Sequence, residues 1–271
     1  MFAFDILLNL IFPPSCISCD APLDVLSRNA LCGSCSEKFL NEKERKCPLC
    51  GKTHSECSCM PARLKKYCSD AMHVSEYSET DGVTRSLVLR AKDRNLKYLY
   101  DFIVNELAYL VRSRIGNAEG YIVSYVPRSK RKKAGTGVDQ SALAARRLAS
   151  ELHLPLRKLF VHSGTAVQKK LSAEERYKNA LNSYSLAKGT ESIINGGNFI
   201  LYDDVVTTGS TLTACASLLR RAGAGRIVIL TFAKTYPGYA SGQSTTPGRK
   251  RDPARLFKAK KKESYRDPRG R

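Results

Sequence analysis

The chain has 271 residues, with 45 Lys+Arg against 25 Asp+Glu, ten cysteines and no Trp. Its 42% hydrophobic and 26% charged residues describe a soluble globular protein of one to two domains and exclude a wholly disordered chain. The net charge of +20 favours polyanionic partners such as nucleic acid, phosphate-rich ligands or anionic membrane surfaces, and carries no information about fold.

The chain opens on the apolar segment Phe2 to Phe12. A membrane span needs about 20 consecutive apolar residues, so no transmembrane segment is expected. Asp5, Asn9, the missing basic lead and the stop at Pro13-Pro14 argue against a signal peptide. A short amphipathic helix docked on the protein is expected, with a transient membrane contact as the alternative.

Eight cysteines follow in four pairs: Cys16 and Cys19, Cys32 and Cys35, Cys47 and Cys50, Cys57 and Cys59. Two residues between cysteines let both thiolates of a tight knuckle face one tetrahedral ion. In Cys47-Pro-Leu-Cys50-Gly51 the proline stiffens the knuckle and the glycine permits the turn after the second sulfur. Eight sulfurs suffice for two structural Zn²⁺ ions. The simplest partition gives Cys16, Cys19, Cys32 and Cys35 to one and Cys47, Cys50, Cys57 and Cys59 to the other. Spacing leaves open an interleaved partition or a single filled site. A disulfide-rich secreted module is the competing reading, disfavoured by the absence of a secretion signal. A ribbon this small takes its folding energy from metal. Cys68 and Cys215 stand outside the pattern and read as ordinary interior thiols.

Beyond the cysteines the pattern alternates. Strands are expected at Ala71 to Tyr77, Tyr121 to Val126, Arg157 to His162, Asn198 to Asp203 and Arg226 to Phe232. Helices are expected at Val83 to Ala91, Leu96 to Val111, Ser141 to Leu152 with Asp139 as its cap, Ser172 to Lys178, and Thr211 to Arg221 stopped by Gly223. Continuous apolar strands alternating with helices predict an α/β fold, a parallel sheet with helices on both faces. Three regions result: 1–68, a short helix and zinc ribbon; 69–236, the α/β domain; 237–271, a basic tail rich in Gly, Ser, Thr and Pro and expected to be disordered. The tail carries 11 basic and 3 acidic residues.

One segment carries chemistry: Phe199-Ile-Leu-Tyr-Asp203-Asp204-Val-Val-Thr207-Thr208-Gly209-Ser210-Thr211. An apolar strand delivers two carboxylates, and a loop of small hydroxyl residues around a glycine opens into a helix. Ligands of open α/β sheets sit at that edge. Small residues let backbone N–H groups curl round a phosphate, and the helix start favours the anion. The adjacent carboxylates suit vicinal ribose hydroxyls, so the site is read as built for a ribose 5-phosphate. This segment resembles the signature of the type I phosphoribosyltransferase fold, whose ligand is 5-phosphoribosyl-1-pyrophosphate. Pro127 and Arg128, after an earlier strand, stand where that fold keeps its pyrophosphate loop, and Lys130, Arg131, Lys132 and Lys133 extend the basic run.

The wider chain, residues 4–236, resembles the competence protein F family, also called amidophosphoribosyltransferase-like. The lead Ile6-Leu-Leu-Asn-Leu-Ile-Phe12-Pro-Pro-Ser-Cys16-Ile-Ser-Cys19 looks like that family's entry into a double zinc ribbon. Thr165, Gln168, Leu171, Arg176 and Asn179 match its flexible loop. Thr136-Gly137-Val138-Asp139-Gln140 occupies an Arg-Gly-Phe-Asn-Gln stretch, with Thr136 for the Arg and Val138 for the Phe. The basic tail has no counterpart in that pattern.

The resemblance implies a cytoplasmic protein of DNA uptake, with a peripheral place at the inner face of the membrane and contacts with the DNA-uptake machinery as further expectations. Two functions are expected. In the first, a phosphoribosyltransferase uses Mg²⁺. Asp203 and Asp204 take the ribose hydroxyls and the metal's water shell, Thr207, Thr208, Gly209, Ser210 and Thr211 the 5-phosphate, and Arg128 the pyrophosphate. Lys169 or Lys170 closes over the leaving group. In the second, a non-catalytic protein uses the fold as sensor or scaffold while basic surfaces hold single-stranded DNA. Tyr98, Tyr100 and Tyr265 are its candidate stacking residues.

Overall fold

The apolar runs form the strands of one parallel sheet. In the computed structural model the described residues are 13–24, 26–27, 29–93, 97–128, 139–163 and 173–236. The expected N-terminal helix, the basic run 130–133, Thr136 to Val138, the loop with Lys169 and Lys170, and the tail with Tyr265 lie outside them. The elements in chain order are α1 (Gly33–Glu44), α2 (Ala62–Lys65), β1 (Asp70–Glu76), α3 (Val83–Asp93), α4 (Lys97–Ile115), β2 (Tyr121–Tyr125), α5 (Gln140–Glu151) and β3 (Phe160–His162). There follow α6 (Ala173–Ser183), β4 (Tyr184–Leu186), α7 (Glu191–Ile194), β5 (Asn198–Val206), α8 (Ser210–Arg221) and β6 (Ile227–Lys234).

Four strands pair in the order β1-β6-β5-β2, all parallel. Side chains alternate between faces with the period of two that a strand imposes. Ile200, Tyr202, Val228, Leu230 and Phe232 face Leu99, Ile103 and Leu107 of α4 and Leu148 of α5. Phe199, Leu201, Ile227 and Ile229 face Leu212, Cys215 and Leu219 of α8 and Leu64 of α2. Both faces are covered, which is why β5 and β6 read as unbroken apolar runs. Asp139 caps α5, its carboxylate accepting from the Ala142 N–H at 3.3 Å. Gly223 ends α8 at φ +85°. Cys215 is fully buried and the Cys68 thiol donates to the Leu64 carbonyl at 2.8 Å, so both behave as interior thiols.

Three differences from the sequence expectations have clear causes. The strand expected from Arg157 begins at Phe160. Residues 155–157 instead run beside β2, with the Arg157 N–H donating to the Val123 carbonyl at 2.9 Å, before the chain leaves to pair with β4 in a separate antiparallel sheet. Strand β5 runs on through both aspartates to Val206, because β6 keeps supplying partners as far as Lys234. Helix α1, which the cysteine spacing does not signal, starts between Cys32 and Cys35.

The ribbon docks on the sheet domain through that helix. Phe39 of α1 packs edge-on against Phe102, with centroids 5.2 Å apart, and stacks on Phe232 at 6.1 Å. The Glu42 carboxylate accepts from the Val83 and Thr84 N–H groups at 2.8 Å each, and so caps α3 from across the interface. Among the described residues, no helix is long and apolar enough to cross a membrane.

Candidate functional site

Two cysteine clusters form, and they follow the simplest partition. The sulfurs of Cys16, Cys19, Cys32 and Cys35 lie within 4.8 Å of one another, as do those of Cys47, Cys50, Cys57 and Cys59. Four thiols at that mutual distance fit tetrahedral Zn²⁺, with no open position for chemistry. In the second cluster the thiols divide, the Cys47 contact pushing Cys57 up and burial pushing Cys59 up. The Cys57 side chain pulls the Cys47 thiol down to about 4, against the opposing desolvation and with help from the Tyr236 hydroxyl. Thiolate is the form a metal takes. Beside this cluster the His54 Nδ1 lies 3.3 Å from His73 Nε2 of β1, and the Tyr236 hydroxyl lies 3.0 Å from the latter. Burial holds His54 down to about 4 and His73 well below its usual range, so both imidazoles are neutral.

The sugar-phosphate candidates gather at the C-terminal edge of the sheet. Asp203 and Asp204 lie in β5, and Pro127 and Arg128 follow β2, paired directly alongside it. The Arg128 guanidinium donates to Gln140 Oε1 at 2.7 Å and to Asp204 Oδ2 at 3.4 Å. Lys92, at the end of α3, sets its ammonium 3.5 Å from the same Asp204 oxygen. Gln140 Nε2 donates to the Lys92 carbonyl at 2.9 Å, which ties the two cations into one network. Desolvation pushes the Asp203 carboxyl well above the usual carboxylate range, the Asp204 charge adds to this, and Lys92 and Arg128 oppose it.

The loop after β5 turns on a glycine into a helix. Gly209 sits in the left-handed region, at φ +69° and ψ 9°, immediately before α8. That conformation turns the chain so that α8 starts at Ser210 with its first N–H groups at the sheet edge. The Thr208 and Ser210 hydroxyls lie 3.0 Å apart, while the Thr213 hydroxyl turns away to the Gly209 carbonyl at 2.7 Å. Thr207 is exposed, and Thr211 is half-buried in the first turn of α8.

The structure thus brings together Asp203, Asp204, Arg128, Pro127 and Thr207 to Thr211. Lys169 and Lys170 lie outside the described residues. Tyr100 is corrected: it is 2% exposed, its hydroxyl donating to the Ala91 carbonyl at 2.8 Å, and it is unavailable for stacking on a nucleic acid. Tyr98 remains exposed. Sequence reasoning missed Lys92 at this site. It sits in the last turn of a helix far from the motif, and the only available signal was its place at a helix end pointing to the ligand edge.

A family model described as a double zinc ribbon domain matches residues 7–72. The DNA utilization protein YhgH of Escherichia coli K12 is 29% identical over 235 residues, spanning 83% of this chain and 99% of the relative. Competence protein F of Haemophilus influenzae is 27% identical over 81% of this chain and 96% of its own. Competence protein ComFC of Bacillus subtilis is 26% identical over 71% and 79%. Among solved structures, an allosteric regulatory enzyme of purine biosynthesis aligns with 53% of this chain and 30% of its own, at 18% identity and a TM-score of 0.37. The fold is a parallel α/β sheet preceded by a cysteine-rich ribbon.

Proposed function

From the premise that the chain belongs to the competence protein F family, we propose that it binds 5-phosphoribosyl-1-pyrophosphate with Mg²⁺ at the sheet edge and acts in the handling of DNA. The observation that carries this reading is the run from Asp203 to Thr211. Two adjacent carboxylates stand in the last paired stretch of strand β5, and five residues after Asp204 a left-handed glycine opens a helix toward the same edge. The relatives' names, DNA utilization protein and competence protein, support the DNA role.

The chemistry follows from the network. Without ligand, Asp204 is neutralised by Arg128 and Lys92. An arriving pyrophosphate competes for both cations and leaves Asp204 to accept from the ribose hydroxyls. Asp203, which burial and then the neighbouring Asp204 charge push toward its neutral form, is the matching oxygen donor. Paired carboxylate oxygens of this kind fit a hard cation. Mg²⁺ when bound supplies charge neutralisation across the pyrophosphate and ribose oxygens, and Asp203 and Asp204 are the residues that would hold its water shell. Thr208, Ser210 and the first N–H groups of α8 bind the 5-phosphate. If the transfer runs, catalysis rests on positioning and charge stabilisation.

The second reading, a non-catalytic sensor that holds single-stranded DNA, is favoured by the net charge of +20 and by Tyr98 and Tyr109, which stand exposed on α4. Basic residues tracking a single strand give a log-log salt slope of about −0.7 per phosphate neutralised. Calorimetric titration of 5-phosphoribosyl-1-pyrophosphate into the zinc-loaded protein, with and without Mg²⁺, tests the main reading. Saturable, Mg²⁺-dependent binding is expected, weakened about tenfold or more in Asp204→Asn. No detectable binding to a folded protein overturns it, and steeply salt-dependent DNA binding then leaves the second reading in place.

A further inference from the structure

The phosphate loop is roofed by the ribbon. Between Cys59 and β1, the segment 61–63 passes over Thr208 to Ser210. A Cβ placed on Gly209 would meet the Pro61 ring at 2.9 Å, so this glycine is required by the close approach of the roof as well as by its positive φ. Under the roof lies a cavity of about 220 Å³, lined by Pro61, Arg63, Tyr177, Thr208, Ser210 and Thr213, with Ala62 beside them. The exposed Arg63 guanidinium stacks over the Tyr177 ring of α6, 4.6 Å from its centroid. A planar cation held on an aromatic face keeps its donors directed sideways and loses little freedom on binding an anion.

The roof is anchored at its ribbon end. Lys234 at the end of β6 donates to the carbonyl of Cys59, a member of the second cysteine cluster. Arg114 of α4 donates to the Ser55 carbonyl at 2.9 Å and to the Ser58 hydroxyl at 2.7 Å, and pairs with Asp70 at 2.9 Å. The zinc-holding loop is therefore fixed to the sheet two residues before Pro61.

We propose that Arg63 is a cationic contact for the ligand's 5-phosphate, so that the zinc-held ribbon supplies one wall of the sugar-phosphate pocket. This rests on the ribose-phosphate reading above and adds a binding residue from outside the sheet domain. The loop offers only neutral donors, hydroxyls and backbone N–H groups. A phosphate monoester is a dianion near neutral pH, and a bidentate guanidinium is the matching partner.

The test titrates ribose 5-phosphate, 5-phosphoribosyl-1-pyrophosphate and inorganic pyrophosphate into the zinc-loaded wild type, Arg63→Ala and Arg63→Lys, with melting temperature and zinc content as fold controls. Arg63→Ala is expected to weaken both 5-phosphate ligands about 10- to 100-fold, to leave pyrophosphate unchanged and to be partly rescued in Arg63→Lys. Tyr177→Leu, which removes the stacking face, gives a smaller loss of the same selectivity. Unchanged affinities in Arg63→Ala overturn the inference and leave the ligand reading standing. An equal loss for pyrophosphate overturns it as well, because Arg63 then acts through the fold. Binding of ribose 5-phosphate alone, weakened in Arg63→Ala, upholds the inference while the diphosphate reading fails. A wild type that binds none of the three overturns both.

Discussion

Among the described residues between Ser15 and Cys59 the buried apolar ones other than cysteine are Ile17, Leu31 and Phe39, and all three pack into the core beneath the sheet. Between Asp70 and Tyr236 the sheet buries Phe199, Ile200, Leu201, Ile227, Ile229 and Leu230 at 0–1% exposure, with helices on both faces. Among its described residues the ribbon therefore has no apolar core of its own. Metal holds its knuckles, and the sheet domain holds its helix. The sheet domain is held by burial, at about 1.5–3 kcal/mol for each large side chain. Polar contacts join the two: Glu42 to the start of α3, Lys234 to Cys59, Arg114 to the zinc-holding loop.

Metal removal breaks the comparison most sharply. Each structural zinc is worth on the order of 10 kcal/mol to a ribbon. After chelation, limited proteolysis is expected to cut within residues 16–60 while 70–236 survives, and Cys57→Ser is expected to halve the zinc bound per chain. Equal cleavage of both regions would show that they share one source of stability. Next is Leu201→Ala, at the centre of β5, which is expected to destabilise the sheet domain by about 2–5 kcal/mol in denaturant melts. Zinc stoichiometry should not change.

At the junction, Glu42→Ala leaves the Val83 and Thr84 N–H groups without their acceptor. A loss of about 1–3 kcal/mol is expected, with zinc retained in the ribbon. Acid probes the same junction. His73 is buried neutral, pushed down by desolvation and by the nearby His54, Lys234 and Arg114. Its folded pKa lies below its unfolded value near 6.5, so the unfolded state takes up the proton first. Stability is full above pH 6.5 and declines below it, and His73→Gln should flatten that decline while zinc is still bound. The smallest effect belongs to Arg90→Ala. Its bidentate pair with Asp20, at 2.6 Å, spans ribbon and α3 but lies in water at the Asp20 end, so less than about 1 kcal/mol should be lost.

The two regions also differ in how much of them was legible. Strands β5 and β6 announce themselves because both their faces are buried, and the motif after β5 reads in order because its residues are contiguous. The cysteine pairs announce their metal for the same reason. What links distant segments was not legible. Glu42 caps a helix 41 positions later, and nothing in its sequence surroundings marks this glutamate as a buried cap. Lys92 reaches Asp204 from α3, and Gln140 of α5 holds the Arg128 that does the same. Strand β4 is three residues long and takes its identity from pairing with β3. Helix α1 buries only Cys35, Phe39 and Glu42, too sparse a stripe to stand out among lysines and glutamates.

The central claim, that a sugar phosphate sits at the sheet edge under the ribbon, is tested most directly by amide hydrogen exchange of the zinc-loaded protein with and without saturating Mg²⁺ and 5-phosphoribosyl-1-pyrophosphate. The account predicts slowed exchange at Gly209, Ser210 and Thr211 and at Ala62 and Arg63, with the outer knuckle around Cys19 unchanged. Unaltered exchange across residues 207–211 at saturation would contradict it.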